Sequence, residues 1–381
     1  AMALGGIGFN LARIIGTMLG GYIVGKAGSW AVFYLNAFSY VVAVLALFTW
    51  RREPVERRLR EPLPSAIRAG LRYVRHSAPH RAILLRTAGL ISCGGAYWAL
   101  IALHARKNLG VSSLGYGVLL GWFGAGAATA GLLVPRLRRS LSTDVFITIG
   151  AFGAAVQMIA LAWVRDRLAV DLVMLLGGLS WPLIMISINI AVLRQSPDWV
   201  RSRAAAIYLL VFTGTQAAAS VVWGAVAERI GIPAALITAG LLTMIVAPLL
   251  ALYRIPADEH LDLSPSNHWP AHDGDGEPPH DDGPVLVVVQ YQIDPKRSEE
   301  FASAMTEMRS IRLRNGAMRW NLFQDASSPG RYVESFLVDC WAEHLRQHER
   351  ITVTESEVEQ RARSFHIGAE PPLVQHFLAR G

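Results

Sequence analysis

Cysteine is nearly absent from this sequence: two in 381 residues, Cys93 in an apolar segment and Cys340 in the polar C-terminal part. Thiols so placed form neither a disulfide framework nor a zinc-binding pattern. Charge is scarce too, at 17% of residues against 52% apolar ones, and it is clustered instead of alternating along the chain. A soluble core has no use for so much apolar surface, so the composition points to a lipid bilayer. A net charge of +7 is compatible with nucleic acid, but the basic residues sit mostly in short connections between apolar segments, as positive-inside topology requires, so no nucleic-acid partner is expected. The stretch 258–284 lacks Lys and Arg altogether and is rich in Asp, Pro, Gly and His. It reads as a flexible linker, and its scattered histidines, His260, His268, His272 and His280, lack the geometry of a metal site.

What is abundant is apolar sequence in membrane-length runs. Eight stretches, 3–24, 31–50, 82–104, 114–134, 145–164, 168–193, 204–227 and 233–253, each suffice to cross a bilayer. The first begins with no charged leader and no cleavage pattern ahead of it, and the expectation is a fragment of a longer chain. Between the second and third runs lies a basic connection with Arg51, Arg52, Arg57, Arg58, Arg60, Arg68, Arg72 and Arg75. That side is assigned to the cytoplasm. Connections carrying Arg136, Arg138 and Arg139, then Arg194, Arg201 and Arg203, return to the same side, which is where the C-terminus is expected. Ile67, Leu71 and Val74 recur at helical spacing beside Arg68, Arg72 and Arg75. This is the pattern of a helix lying on the membrane surface, or of a helical linker with a solvated basic face.

The expected organisation is a membrane domain over 1–254, an acidic flexible linker over 255–284 and a small domain over 285–381. Within the first, 3–50 holds two spans, 51–81 the cytoplasmic connection and 82–254 six more spans.

One full charge, Arg13, stands inside the first apolar run. A rise of 1.5 Å per residue puts it roughly 15 Å deep, near the bilayer midplane. Asn10 shares its helix face, and Gly16, Gly20 and Gly21 offer small residues against which another backbone can close while the arginine points into a bundle. The same arginine is equally consistent with a structural strut bonded to carbonyls.

Gly8-Phe-Asn-Leu-Ala-Arg13-Ile-Ile-Gly16-x-x-x-Gly20-Gly21 resembles the fifth-helix antiporter signature of the major facilitator superfamily, with Thr17 where the family has proline. Gly131-Leu-Leu-Val-Pro135-Arg136-Leu-Arg138-Arg139 is similar to that superfamily's Gly-x-x-x-Asp-Arg-x-Gly-Arg-Arg loop, with Pro135 replacing the acid and Arg138 the glycine. Gly131, Arg136 and Arg139 keep the match. With the order of the spans, these motifs resemble the transmembrane secretion effector branch, which includes enterobactin-exporter-like and macrolide-efflux-like proteins. The resemblance implies an all-α polytopic membrane fold lacking its first four helices, and export by alternating access of two six-helix halves.

Other polar residues in the spans are fewer. Gln157, Asn189 and Gln216 are able to bond a substrate or a neighbouring helix. Trp98, Trp122, Trp181 and Trp223 are candidates for lining a cavity or for interface belts. Trp181-Pro182 is of interest because a proline inside a span frees a carbonyl, in a broken helix or a plain kink. Asp171 near a span end is a candidate proton acceptor or a solvated helix end. Gly117, Gly121, Gly124, Gly126 and Gly131 read as helix-packing surface.

After the linker the pattern becomes that of a compact soluble domain. Strands are expected over 285–293, 318–324, 332–338 and 373–378, and helices over 296–314, 341–350 and 355–365. The order β-α-β-β-α-β with one extra helix is the ferredoxin-like arrangement. With Trp341-Ala-Glu-His344-Leu-Arg-Gln-His348 it resembles the antibiotic-biosynthesis monooxygenase domains that the secretion-effector branch carries. His344 and His348 share a helix face at i, i+4, the spacing of helical metal sites; a third ligand would come from Glu334 or His376. Solvated or dimer-facing histidines have the same spacing, and no metal or other cofactor is assigned.

The function expected is export of a small, largely apolar organic molecule, siderophore-like or drug-like, from the inner membrane by proton antiport. Arg13, Asn10, Gln157, Trp181, Asn189 and Gln216 are placed on the path, with lipid, substrate and protons as partners. The C-terminal domain, with Glu334, Trp341, His344 and His348 as its candidate residues, is expected to self-associate or sense. The alternative is a membrane-tethered monooxygenase-like enzyme whose spans serve as an anchor.

Overall fold

A computed structural model describes residues 16, 19–20, 23, 27–50, 62–137, 141–256, 261–266 and 283–379. The chain divides into two compact units, Ala1–Arg60 with Ala82–Ala191 and Tyr208–Ile255, and Glu61–Arg81 with Val192–Ile207 and Pro256–Gly381.

The first unit is helical. Its elements are α1 (Ser29–Thr49), α3 (Ala78–Lys107), α4 (Ser113–Leu137), α5 (Thr143–Trp163), α6 (Arg167–Arg194), α7 (Arg201–Ile230) and α8 (Ile232–Ala251). Among the described residues seven helices are long and apolar enough to cross a membrane. The span expected over 3–24 falls almost wholly outside those residues.

Apolar side chains from α3 to α8 make the core, with Tyr97, Leu119, Phe123, Met158, Met174 and Leu236 at its centre. Small residues set how close the helices come. A Cβ on Gly126 of α4 would run into the backbone of Leu175 and Gly178, and one on Gly178 of α6 into the carbonyl of Phe123. The two backbones therefore touch directly, as small-residue helix pairs do in membranes. On α8, a Cβ at Gly240 would lie 2.6 Å from Ile159 of α5. Gly231, between α7 and α8, has φ 86°, a left-handed conformation that glycine adopts without steric cost.

The second unit contains α2 (Leu63–His76), the adjoining ends of α3, α6 and α7, and a sheet with its helices. The sheet-bearing part runs β1 (Val285–Gln292), α9 (Ser298–Asn315), β2 (Arg319–Gln324), β3 (Arg331–Val338), α10 (Trp341–Arg350), α11 (Val353–Arg363) and β4 (Leu373–Leu378). All pairings are antiparallel in the order β2-β3-β1-β4. Alternation decides the faces: Val285, Val287, Val289 and Tyr291 of β1 are buried, while Leu286 and Gln292 are exposed and Val288 and Gln290 half-buried, the period-2 pattern of a half-buried strand. Helix α11 starts with a capping box, the Thr352 hydroxyl accepting from Glu355 N while the Glu355 carboxylate accepts from Thr352 N. Residues 264–266 hydrogen-bond to Ile351 and Val353 through their backbones.

Helix α2 forms where the amphipathic pattern placed it, over Leu63–His76. Ala69, Gly70, Tyr73 and Val74 are buried within the second unit, while Ile67 and Leu71 stay exposed. The small pair Ala69-Gly70 makes the packing face, since a Cβ on Gly70 would stand 3.0 Å from Cβ of Arg203.

Candidate functional site

Four aromatic rings meet inside the helical unit. Tyr97 and Trp98 of α3 lie 5.0 Å apart, Phe123 of α4 stacks on Tyr97 at 5.6 Å and meets Trp98 at 5.4 Å, and Trp181 of α6 meets Trp98 at 5.7 Å. Trp181 fits because Gly94 leaves room: a Cβ there would be 3.1 Å from its ring. Tyr97 and Phe123 are buried, whereas Trp98 and Trp181 are half-buried and present an apolar, polarisable surface. Trp223 belongs to the same core, and its indole N–H donates to Ser92 O at 2.7 Å.

The amides near this cluster differ in availability. Gln157 is 2% exposed, and its side-chain amide occupies the space where a Cβ on Gly177 would stand, one helical turn before Trp181. Gln216 donates weakly to Ser220 Oγ at 3.4 Å and lies beside Gly95. Asn189 is exposed and donates to Met185 O of its own helix at 2.7 Å. Gln157 thus packs against Gly177, while Asn189 bonds within its own helix.

A cavity of about 680 Å³ lies between the end of α3 and the start of α4, lined by Gly20, Arg106, Ser112, Ser113, Tyr116 and Leu120 among others. Neither Gly16 nor Gly20 has a heavy atom among the described residues within 4 Å of a built Cβ. Gly131 is half-buried and Arg136 exposed. Asn10, Arg13, Gly21 and Arg139 lie outside the described residues.

One pair was not singled out from the sequence. Arg86 of α3, 1% exposed, donates from Nη1 to Asp144 of α5 at 2.6 Å, from Nε to Leu250 O at 3.1 Å and from Nη2 to Ala251 O at 3.2 Å, at the end of α8. Its charge sits where carbonyls at a helix C-terminus favour a cation, and Asp144 sits in a first turn, where the dipole favours a carboxylate. The node joins the start of α5 and the end of α8 to the body of α3. Its signal was present in the sequence: an arginine inside the run 82–104 calls for the same question as Arg13.

In the second unit, His344 of α10 is 3% exposed. Its ring centre lies 4.6 Å from His348, 4.6 Å from His376 of β4 and 5.2 Å from Trp341. Gln347, one turn on, is the neighbouring side chain with which the ring can hydrogen-bond. Burial first, then the neighbouring His348 and His376, push its pKa down to about 3, so the imidazole is neutral at ordinary pH. The β1–β4 register brings His376 here by setting it opposite Val287. Glu334 is committed elsewhere: wholly buried, it accepts from Arg312 Nε at 3.1 Å, Trp320 Nε1 at 2.9 Å and Tyr291 OH at 3.2 Å. Burial disfavours the Arg312 charge, but Glu334 and Glu359 more than offset it and hold the guanidinium above its ordinary pKa. Among the described residues no group of three or more His, Cys, Asp or Glu is arranged to hold a metal ion. The space enclosed by His344, His348, His376, Arg312 and their apolar neighbours is about 20 Å³, room for about one water-sized group.

Compared with known proteins, residues 1–381 match the family described as transmembrane secretion effectors. No curated protein matches. Among solved structures, the chain is similar to a POT family transporter crystallised in complex with a thioalcohol conjugated peptide, at 12% identity and a TM-score of 0.41, over 60% of this chain and 54% of that one. The chain thus spans about half the length of that transporter.

Proposed function

This chain belongs to the transmembrane secretion effector family of the major facilitator superfamily, and on that premise we propose that it exports a small, largely apolar organic molecule by proton antiport. It is a multi-pass membrane protein and a transporter. The observation that carries the substrate class is the aromatic cluster: Trp98 and Trp181 meet with half-buried indole surfaces against a packed core. Flat, apolar compounds with few polar groups, such as aromatic siderophores or macrolide-like drugs, suit such a surface. Arg13 and Asn10 are proposed to meet an anionic group of the substrate or a carboxylate on the path, and Gln216 to bond the substrate near Gly95.

The basic connections favour an inner-membrane orientation with the C-terminal domain in the cytoplasm. In that domain, the antiparallel order β2-β3-β1-β4 with helices between the strands supports the ferredoxin-like reading, and we assign it self-association or sensing. An oxygenase reading finds no support in the 20 Å³ space beside His344, which is too small for a phenolic ring.

The test is transport by the complete gene product in inverted membrane vesicles, with a catecholate siderophore and a macrolide as probes and a pH-sensitive dye to follow protons. Probe uptake with coupled proton release, lost on Trp181→Ala and on Arg13→Ala, is expected. Uptake of neither probe, or uptake indifferent to Trp181→Ala, would overturn the substrate assignment.

A further inference from the structure

We propose that helix α10 is a latch that, alongside the packing of α2 on α9, clamps the sheet-bearing domain to two connections leading into the membrane-length helices, and that opening it loosens both connections together. The latch is centred on one carboxylate. Glu343, whose side chain is 5% exposed, accepts from Arg350 at 2.6 Å, from Arg346 at 3.0 Å and from Arg72 of α2 at 2.7 Å. Burial opposes its charge, and Arg350 first among the arginines overcomes that and holds the carboxyl below the usual range. Glu343, Arg346 and Arg350 stand at i, i+3 and i+7, so a single face of α10 presents all three.

The contacts then close into a ring. The Arg350 guanidinium lies 4.4 Å from the ring centre of Trp199, in the connection between α6 and α7. Trp199 meets Tyr73 of α2 edge-on at 5.5 Å, and the Tyr73 hydroxyl donates to Gln195 O at 3.2 Å, in the same connection. Three residues from Tyr73 in the chain, Gly70 is covered by Arg203, near the start of α7. Each of α2, the α6–α7 connection and α10 therefore touches the other two. In such a ring, loosening one contact weakens the remaining ones, because the partner groups lose the geometry that the third element imposes. Without Glu343 three guanidinium groups would face each other with no shared counter-charge.

Residues 192–207 are continuous with α6 and α7, so a closed latch restrains the ends of two membrane-length helices, and an open one lets them move. Alternating access uses such motion. This consequence for transport rests on the exporter reading, whereas the cooperativity of the latch does not.

Hydrogen exchange followed by mass spectrometry on the full chain in detergent micelles tests it without any substrate. Arg72→Gln removes the α2 arm alone, Trp199→Leu the stack alone and Glu343→Gln the centre. Each is expected to speed exchange in both 63–76 and 195–203 by roughly tenfold or more, with the strand 285–292 unchanged. If Arg72→Gln loosens only 63–76 and Trp199→Leu only 195–203, the contacts are independent and the latch is refuted. Unchanged exchange in all variants, or faster exchange in 285–292 as well, overturns it too. Because no transport is measured, these outcomes leave the exporter reading to stand or fall separately.

Discussion

The guanidinium of Arg86 meets the carboxylate of Asp144 at 2.6 Å, with the arginine side chain 1% exposed and the aspartate 25%. The arginine also donates to two carbonyls at the end of α8, so its removal leaves both a carboxylate and a helix terminus unserved. Arg86→Met is expected to cost about 3 kcal/mol, read as a lower unfolding temperature of the full chain in detergent. The double variant Arg86→Met with Asp144→Leu should recover much of that loss, since an apolar pair replaces the ionic one. An Arg86→Met protein as stable as the parent would show that the node carries no weight.

The contact of α4 with α6 depends on hydrogen atoms where other residues have a methyl group. Gly126→Ala and Gly178→Ala would each press a Cβ into the backbone of the opposing helix, which cannot yield as a side chain does. About 1–3 kcal/mol of destabilisation is expected for each. Gly224→Ala on α7, where nothing lies within 4 Å, should be neutral or stabilising by up to about 1 kcal/mol. Equal effects at Gly178 and Gly224 in thermal unfolding would contradict the close packing.

Inside the sheet-bearing domain, Glu334 compensates the buried Arg312 and accepts from Trp320 and Tyr291. Glu334→Gln keeps the shape and removes the charge, leaving Arg312 with Glu359 at 3.6 Å as its acidic partner. A loss of about 3 kcal/mol is expected, measured by urea unfolding with Trp320 fluorescence as the probe. A variant with an unchanged midpoint would place the domain's stability elsewhere.

His344 gives a pH dependence with a definite sign. Its folded pKa is pushed down to about 3 from an ordinary 6.5, so between those values the unfolded chain binds the extra proton. Stability from this residue is complete above pH 6.5 and declines as pH falls toward 3, at about 1.4 kcal/mol per pH unit. Glu343, lowered from 4.5, adds its own loss only below that value. Between about pH 6 and pH 5, His344→Leu should therefore flatten the stability profile of the domain; parallel profiles for parent and variant would refute burial of a neutral imidazole.

Much of the architecture was legible in the sequence, because it rests on local rules. A bilayer demands about 20 apolar residues per span, and six of the eight runs begin and end within five residues of a helix α3 to α8. Period-2 and period-3.6 patterns likewise located the strands and helices after residue 284. Composition also changes abruptly near residue 254, from apolar runs to polar sequence, while the compact units follow packing and join 61–81 and 192–207 to the residues after 255.

Only the tertiary structure decided which polar groups meet. Arg86 finds Asp144 58 residues away, and Arg72 finds Glu343 271 residues away; no periodicity within either segment encodes the partner. The same holds for α2: only packing shows that its small residues Ala69 and Gly70 are buried while Ile67 and Leu71 stay exposed. Glu334 was as good a third partner for the histidines as His376 until strand register set His376 beside them and enclosed Glu334 with Arg312. Burying a charge is costly unless its counter-charge is supplied, and where that counter-charge comes from is fixed by packing between elements, which the linear pattern leaves open.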